Sequence, residues 1–274
     1  MNELTKRIIV AFFGIPLLIG GTLLGGWYYF ILISIVSVVS QWEFYKIQEK
    51  KNIHPQSLTG IFIGFFILFG IETGYWFITG AFMILSLMII LAKEMFRQYE
   101  NVSANIGVTL LGIFYIPFFL GTLLYMRTQM DELIPTVAFA GFKLIVIIFI
   151  SIWICDTFAY GFGRMLGKHK LYEKVSPNKT WEGAIAGVIG SVLVFSLVKM
   201  LAILPVSWPF TLLAGLIIGI VGQTGDLVES WFKRDAGVKD SSSLLPGHGG
   251  MLDRFDSIIF VSPAIFLLTN LIFR

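Results

Sequence analysis

Residues 105–126 read NIGVTLLGIFYIPFFLGTLLYM, without one charged side chain. A helix rises about 1.5 Å per residue, so this run is long enough to cross the ~30 Å hydrocarbon layer of a bilayer. The runs 183–198 and 208–225 are equally free of charge. None of them shows the strict alternation over about ten residues that a membrane-spanning strand requires. The whole chain agrees: its 274 residues are 56% apolar and 14% charged, with a mean hydropathy of +0.83, whereas soluble domains carry roughly a quarter charged residues. An all-α, polytopic integral membrane protein is expected.

Working outward, apolar runs separated by polar or Gly/Pro breaks predict nine spans, at 7–25, 27–45, 57–71, 74–92, 105–126, 135–160, 181–203, 208–229 and 256–273. The first follows Lys6 and Arg7 as a signal peptide would. No small-x-small cleavage site precedes Trp27 and the next apolar run begins at once, so it is read as a span. Setting the N-terminus in the cytoplasm puts 16 of the 20 basic residues on that side and leaves Arg127, Lys143, Lys199 and Arg274 on the other. The positive-inside rule therefore predicts a cytoplasmic N-terminus and an external C-terminus. The net charge of +3 reports this orientation, and no nucleic-acid partner is expected. Cys155 is the only cysteine, which excludes a disulfide or a thiolate zinc site within one chain.

The chain divides into residues 1–130, with spans 1–5, and residues 131–274, with spans 6–9. The second part has the two longest predicted cytoplasmic loops, 161–180 and 230–255, and ionisable residues gather there. Such residues cost about 2.5–3.5 kcal/mol at a membrane helix centre, so their placement is informative. Asp156 closes span 6, Asp226 and Glu229 close span 8, and Asp253 and Asp256 open span 9. Each of the last two pairs is spaced i, i+3 on one helix face, where like charges repel. Carboxylates at a helix C-terminal pole need a compensating cation, from Lys or Arg or from Mg²⁺ held between carboxylate and phosphate oxygens.

Pro246, Gly247, Gly249 and Gly250 surround His248 in a turn whose amides could approach an anion. Lys233, Arg234, Lys239 and Arg254 interleave with Asp226, Asp240, Asp253 and Asp256, a mixture suited to a metal-bound polyphosphate. The 161–180 loop repeats the theme with Gly161, Gly163, Gly167, Lys179 and Thr180. Thr180 is expected to cap span 7, with Glu182 in its first turn and free amides beside Lys179.

The order Ser230-x-x-Lys233-Arg234, Lys239-Asp240, Pro246-x-His248-Gly249-Gly250-x-x-Asp253-Arg254-x-Asp256 closely resembles the signature of phosphatidate cytidylyltransferases, or CDP-diacylglycerol synthases. SPNKTWEG at 176–183, with Asp156, Ala159-Tyr160 and Gly163-Arg164 before it, is similar to a second loop of that family. Asn178 stands where many members have a lysine. The resemblance covers roughly 156–256. It implies a nucleotidyltransferase of phospholipid biosynthesis, in which CTP and phosphatidate from the bilayer give CDP-diacylglycerol and pyrophosphate. It also implies Mg²⁺, with place for a second cation, a homodimer, and a multi-pass protein of the cell's inner membrane with its site on the cytoplasmic face.

On that basis Asp226 and Asp253, then Asp256 and Glu229, are assigned to the metal. Lys239, Arg254, His248, Gly249 and Gly250 are assigned to the phosphates of CTP, beside Lys233 and Arg234. Lys179, Thr180 and Arg164 are assigned to nucleotide or lipid phosphate. Two alternatives remain: a CTP-dependent enzyme acting on another lipid phosphate or a polyprenol, and an ion-coupled transporter. Transporters place their sites near the midplane between repeated halves. Here the ionisable residues collect at one face and no repeat is evident.

Overall fold

The computed structural model describes residues 3–245, 247 and 249–273, backbone only at 3, 4 and 6–9. Pro246 and His248, both in the predicted glycine turn, lie outside the described residues. Among the described residues ten α-helices follow in order: α1 (Glu3–Leu24), α2 (Gly26–Glu49), α3 (Ser57–Thr73), α4 (Trp76–Met95), α5 (Val102–Ile113), α6 (Phe119–Leu133), α7 (Ala140–Leu166), α8 (Trp181–Met200), α9 (Trp208–Asp235) and α10 (Leu252–Phe273). Strands β1 (Lys170–Tyr172) and β2 (Ser176–Thr180) form an antiparallel hairpin between α7 and α8.

Among the described residues seven helical stretches are long and apolar enough to cross a membrane. Val10–Leu24 and Ser57–Thr73 are shorter apolar helices. The protein is thus an all-α polytopic membrane protein, with one small hairpin that the sequence reading took for loop. That loop, expected at 161–180, is also shorter than predicted. Gly161, Gly163 and Arg164 belong to α7, because Gly163 packs against Thr180 and Gly183 and Arg164 suits the negative pole of the last turn. Similarly, α9 runs on to Asp235, so Asp226 lies well before its end and Lys233 and Arg234 occupy the last turn. Asp226 and Glu229 are therefore not at the helix's negative pole as the sequence suggested.

The chain forms two compact units, residues 1–125 with 232–255, and residues 126–231 with 256–274. Segment 232–255, grouped by sequence with the second half, clusters with the first.

In the first unit Tyr45 is fully buried and organises α2, α3 and α5. Its hydroxyl accepts from Gln41 Nε2 at 2.9 Å and donates to the Thr109 carbonyl at 2.9 Å. A Cβ at Gly60 or Gly112 would collide with its ring. The helical stretch Val102–Leu133 is continuous, with Phe114–Phe118 in π geometry around Pro117. Proline cannot donate to the preceding turn and its ring crowds that turn's carbonyl, and a wider turn accommodates both. The buried Glu94 accepts from Gln56 Nε2 at 2.8 Å, Asn105 Nδ2 at 3.0 Å and Arg97 at 2.8 Å.

In the second unit α7, α8, α9 and α10 meet through glycine. A Cβ at Gly183 would lie 2.5 Å from the Ala159 carbonyl oxygen, and one at Gly187 3.0 Å from that of Cys155. Cβ atoms at Gly215 and Gly219 would each fall 2.6 Å from a Cα of α8, at Val192 and Val188. One at Gly225 would be 2.8 Å from the Asp256 carbonyl oxygen. Lipid tails are as apolar as leucine, so membrane helices associate by this kind of close backbone approach. Gly183→Val should lower the melting temperature in detergent, as overpacking by about 1–3 kcal/mol would. Gly161→Ala, whose Cβ meets nothing within 4 Å, should not lower it; equal melting behaviour of the two variants would contradict the packing described.

Candidate active site

The second unit contains a cavity of about 520 Å³, within the range typical of small-molecule sites. Asp156 and Arg164 from α7, Lys170 from β1, Lys179 and Thr180 from β2, and Asp226 from α9 line it. The hairpin brings the basic residues there. Lys170 pairs in register with Thr180, and Lys170 Nζ donates to the Pro177 carbonyl at 2.6 Å. At its base the Trp181 amide donates to the His169 carbonyl at 2.9 Å, and His169 Nδ1 lies 2.6 Å from Glu182 Oε1.

Thr180 caps α8 as expected: it is extended, and its hydroxyl oxygen accepts from the Gly183 amide at 3.2 Å. This turns Lys179, the residue before the cap, toward α9, where its ammonium lies 2.6 Å from Asp226 Oδ2. Ser230 Oγ donates to the other oxygen of Asp226 at 3.3 Å. Asp256, whose Oδ1 accepts from the Ser257 amide at 2.6 Å, lies within the electrostatic reach of Asp226, Asp156 and Lys179. Three carboxylates thus act on one another beside Lys179, in a cavity that Arg164 and Lys170 also line. Among the described residues no three His, Cys, Asp or Glu side chains converge tightly enough to hold a metal alone. Asp156 and Asp226 are the carboxylates that line the cavity; Mg²⁺ usually takes one or two carboxylates and completes its shell with phosphate oxygens and water.

Residues 232–255 of the signature stretch are organised differently, inside the first unit. Asp253 Oδ1 lies 2.6 Å from Lys233 Nζ, and both side chains are at most 10% exposed. Asp253 Oδ2 accepts from the Ser241 amide at 3.0 Å, Ser241 Oγ at 2.9 Å and the Gly250 amide at 2.7 Å. The Leu245 amide donates to the Gly249 carbonyl at 2.9 Å, closing a tight turn. Gly249 has φ +84°, and a Cβ there would be 2.5 Å from Asp253 Oδ2; one at Gly250 would be 2.5 Å from both oxygens of Glu43. The space freed by these glycines is filled by the protein's own carboxylates. Lys239 and Arg254 are exposed, Arg234 donates to the Val238 carbonyl at 3.0 Å, and Glu229 is buried in α9.

The Cytidylyltransferase family model matches residues 5–272. The chain belongs to the cytidylyltransferase family. Family relatives include the phosphatidate cytidylyltransferase of Synechocystis sp., 34% identical over 98% of this chain and 97% of that one. The enzyme of the same name from Staphylococcus haemolyticus is 34% identical over 98% of both chains. That of Staphylococcus epidermidis is 49% identical over 47% of this chain and 49% of its own. Membership in the family extends well beyond the 156–256 region whose motifs suggested it.

Three residues of this family member escaped assignment from sequence. Local spacing does not set Asp156 apart from other acids at span ends, or Lys170 from the other basic residues of its loop. Glu43 was hidden in an apolar run, although a lone acid inside a predicted span is itself a signal.

Proposed function

We propose that this chain transfers a cytidylyl group from CTP to the phosphate of phosphatidate, releasing pyrophosphate and leaving CDP-diacylglycerol in the bilayer. The observation that carries this reading is the near full-length similarity to phosphatidate cytidylyltransferases. The cavity is compatible with it: Arg164, Lys170 and Lys179 can receive phosphoryl oxygens beside Asp156 and Asp226. Transport is not favoured, because the family match runs over residues 5–272 and the near full-length relatives are phosphatidate cytidylyltransferases.

The lipid phosphate is itself the nucleophile, so no serine or cysteine is required. What the chain must do is align two polyanions that repel each other and hold the α-phosphorus in line with the attacking oxygen. Lys179 would leave Asp226 to meet a phosphate, and Arg164 and Lys170 would take others. We assign Lys239, Arg254, His248, Gly249 and Gly250 to the phosphates of CTP, as their place in the signature suggests. Asp226 and Asp156, with Asp256 within their electrostatic reach, would present one or two carboxylates to Mg²⁺, which would supply charge neutralisation at the phosphoryl oxygens. For Asp253 to share in this, it would have to exchange the Lys233 ammonium for the metal.

We read nine crossings, counting the two shorter apolar helices with the seven longer ones, with a cytoplasmic N-terminus and an external C-terminus. The bias of basic residues supports this orientation and a site on the cytoplasmic face of the inner membrane. A homodimer accompanies the family reading.

Purified full-length protein in mixed micelles with phosphatidate and CTP should release pyrophosphate in Mg²⁺ and none after chelation. Absence of pyrophosphate with phosphatidate, but release with another lipid phosphate or a polyprenol, would transfer the reading to that acceptor.

A further inference from the structure

Glu43 lies in α2 with no exposed surface. A buried carboxylate in such a helix is costly unless donors match it. Three donors, with the Ser241 hydroxyl shared between it and Asp253, converge on it from a segment some two hundred residues downstream. Ser242 Oγ donates at 2.5 Å and Ser241 Oγ lies at 3.1 Å. The amides of Met251 and Leu252 donate at 3.0 and 2.7 Å. Those amides open α10, where the helix dipole favours negative charge. Gly250 is shaped to the same carboxylate, since any Cβ there would meet it.

Leu244 is 52% exposed and Ser243 is exposed, so apolar burial does not fix the segment's path between Lys239 and Gly250. The contacts run on from Glu43 through Ser241 to Asp253 and from there to Lys233. Arg254 follows in the same turn of α10.

We propose that Glu43 is a positioning residue: its carboxylate clamps segment 241–252 and so sets the first turn of α10, with Asp253 and Arg254, for the reaction. Glu43 itself touches no substrate. This role rests on the proposed cytidylyl transfer and gives Ser241 and Ser242 the part of clamp partners.

Glu43→Gln keeps size but turns an NH₂ group toward donors that need an acceptor. Hydrogen–deuterium exchange on the full chain in detergent should show amides of 241–252 exchanging about 10- to 100-fold faster, as loss of buried hydrogen bonds would allow. Helices α7 and α8 should stay unchanged. Turnover should fall about 10²-fold, the scale of a small misplacement, and Ser242→Ala should add little further loss in the double variant because both act through one contact. Unaltered exchange in 241–252 would overturn the clamp. Exchange accelerated throughout the chain would make Glu43 merely structural and would also overturn it. Should Glu43→Gln fail to fold, Ser242→Ala alone must show the local acceleration, and its absence would count against the proposal in the same way. Wild-type protein without cytidylyl transfer would instead defeat the proposed function, while the exchange pattern would still judge the clamp.

Discussion

Asp226→Asn should reduce pyrophosphate release from CTP and phosphatidate by about 10²- to 10³-fold, the scale of removing one preorganised electrostatic group from a reaction site, while the protein remains folded and monodisperse. Asp226 holds Lys179 at 2.6 Å and acts on Asp256 together with Asp156. The amide would keep the shape and remove the charge that both a divalent cation and the Lys179 ammonium require. Near-wild-type turnover over a wide Mg²⁺ range would remove Asp226 from the site. A variant that lost activity only by unfolding would leave its melting curve as witness, and the charge argument would then fall.

The second large effect concerns Asp253. Its ion pair with Lys233 is buried on both sides, with side-chain exposures of 6% and 10%. Breaking a buried pair by removing one partner typically costs about 3–5 kcal/mol, because the other charge is stranded. Asp253→Ala should therefore lower the melting temperature sharply and abolish turnover. Adding Lys233→Met should restore part of the stability and none of the activity. If Asp253→Ala alone melted like the wild type, the pair would contribute nothing. Stability recovered together with activity would show that only the stranded lysine, and not the carboxylate, had mattered.

Hydropathy accumulates along the chain, so the membrane helices were legible wherever charge is absent, as at 105–126. Contacts between distant residues were less so. Gly163 reads as a loop glycine because its helical use depends on the approach of Gly183, which no local window contains. The hairpin was invisible because strands of three and five residues, interrupted by Pro177, offer no period to detect. The end of α9 was set too early because Ser230, Lys233 and Arg234 lower the hydropathy without ending the helix. At the candidate site, residue types were readable and partnerships were not. Lys179 was expected near phosphate, but its pairing with Asp226 spans a separation that sequence spacing cannot resolve. Glu43 needed partners at 241, 242, 251 and 252 before its presence in α2 made physical sense.

The glycine contacts among α7, α8, α9 and α10 also govern how the protein can be engineered. Where backbone meets backbone there is no side chain to repack, so positions 183, 187, 215, 219 and 225 tolerate almost no diversity. A library aimed at detergent robustness should leave them fixed and vary Trp181, Ile185, Ile189, Leu193 and Leu197, each about half exposed along one edge of α8.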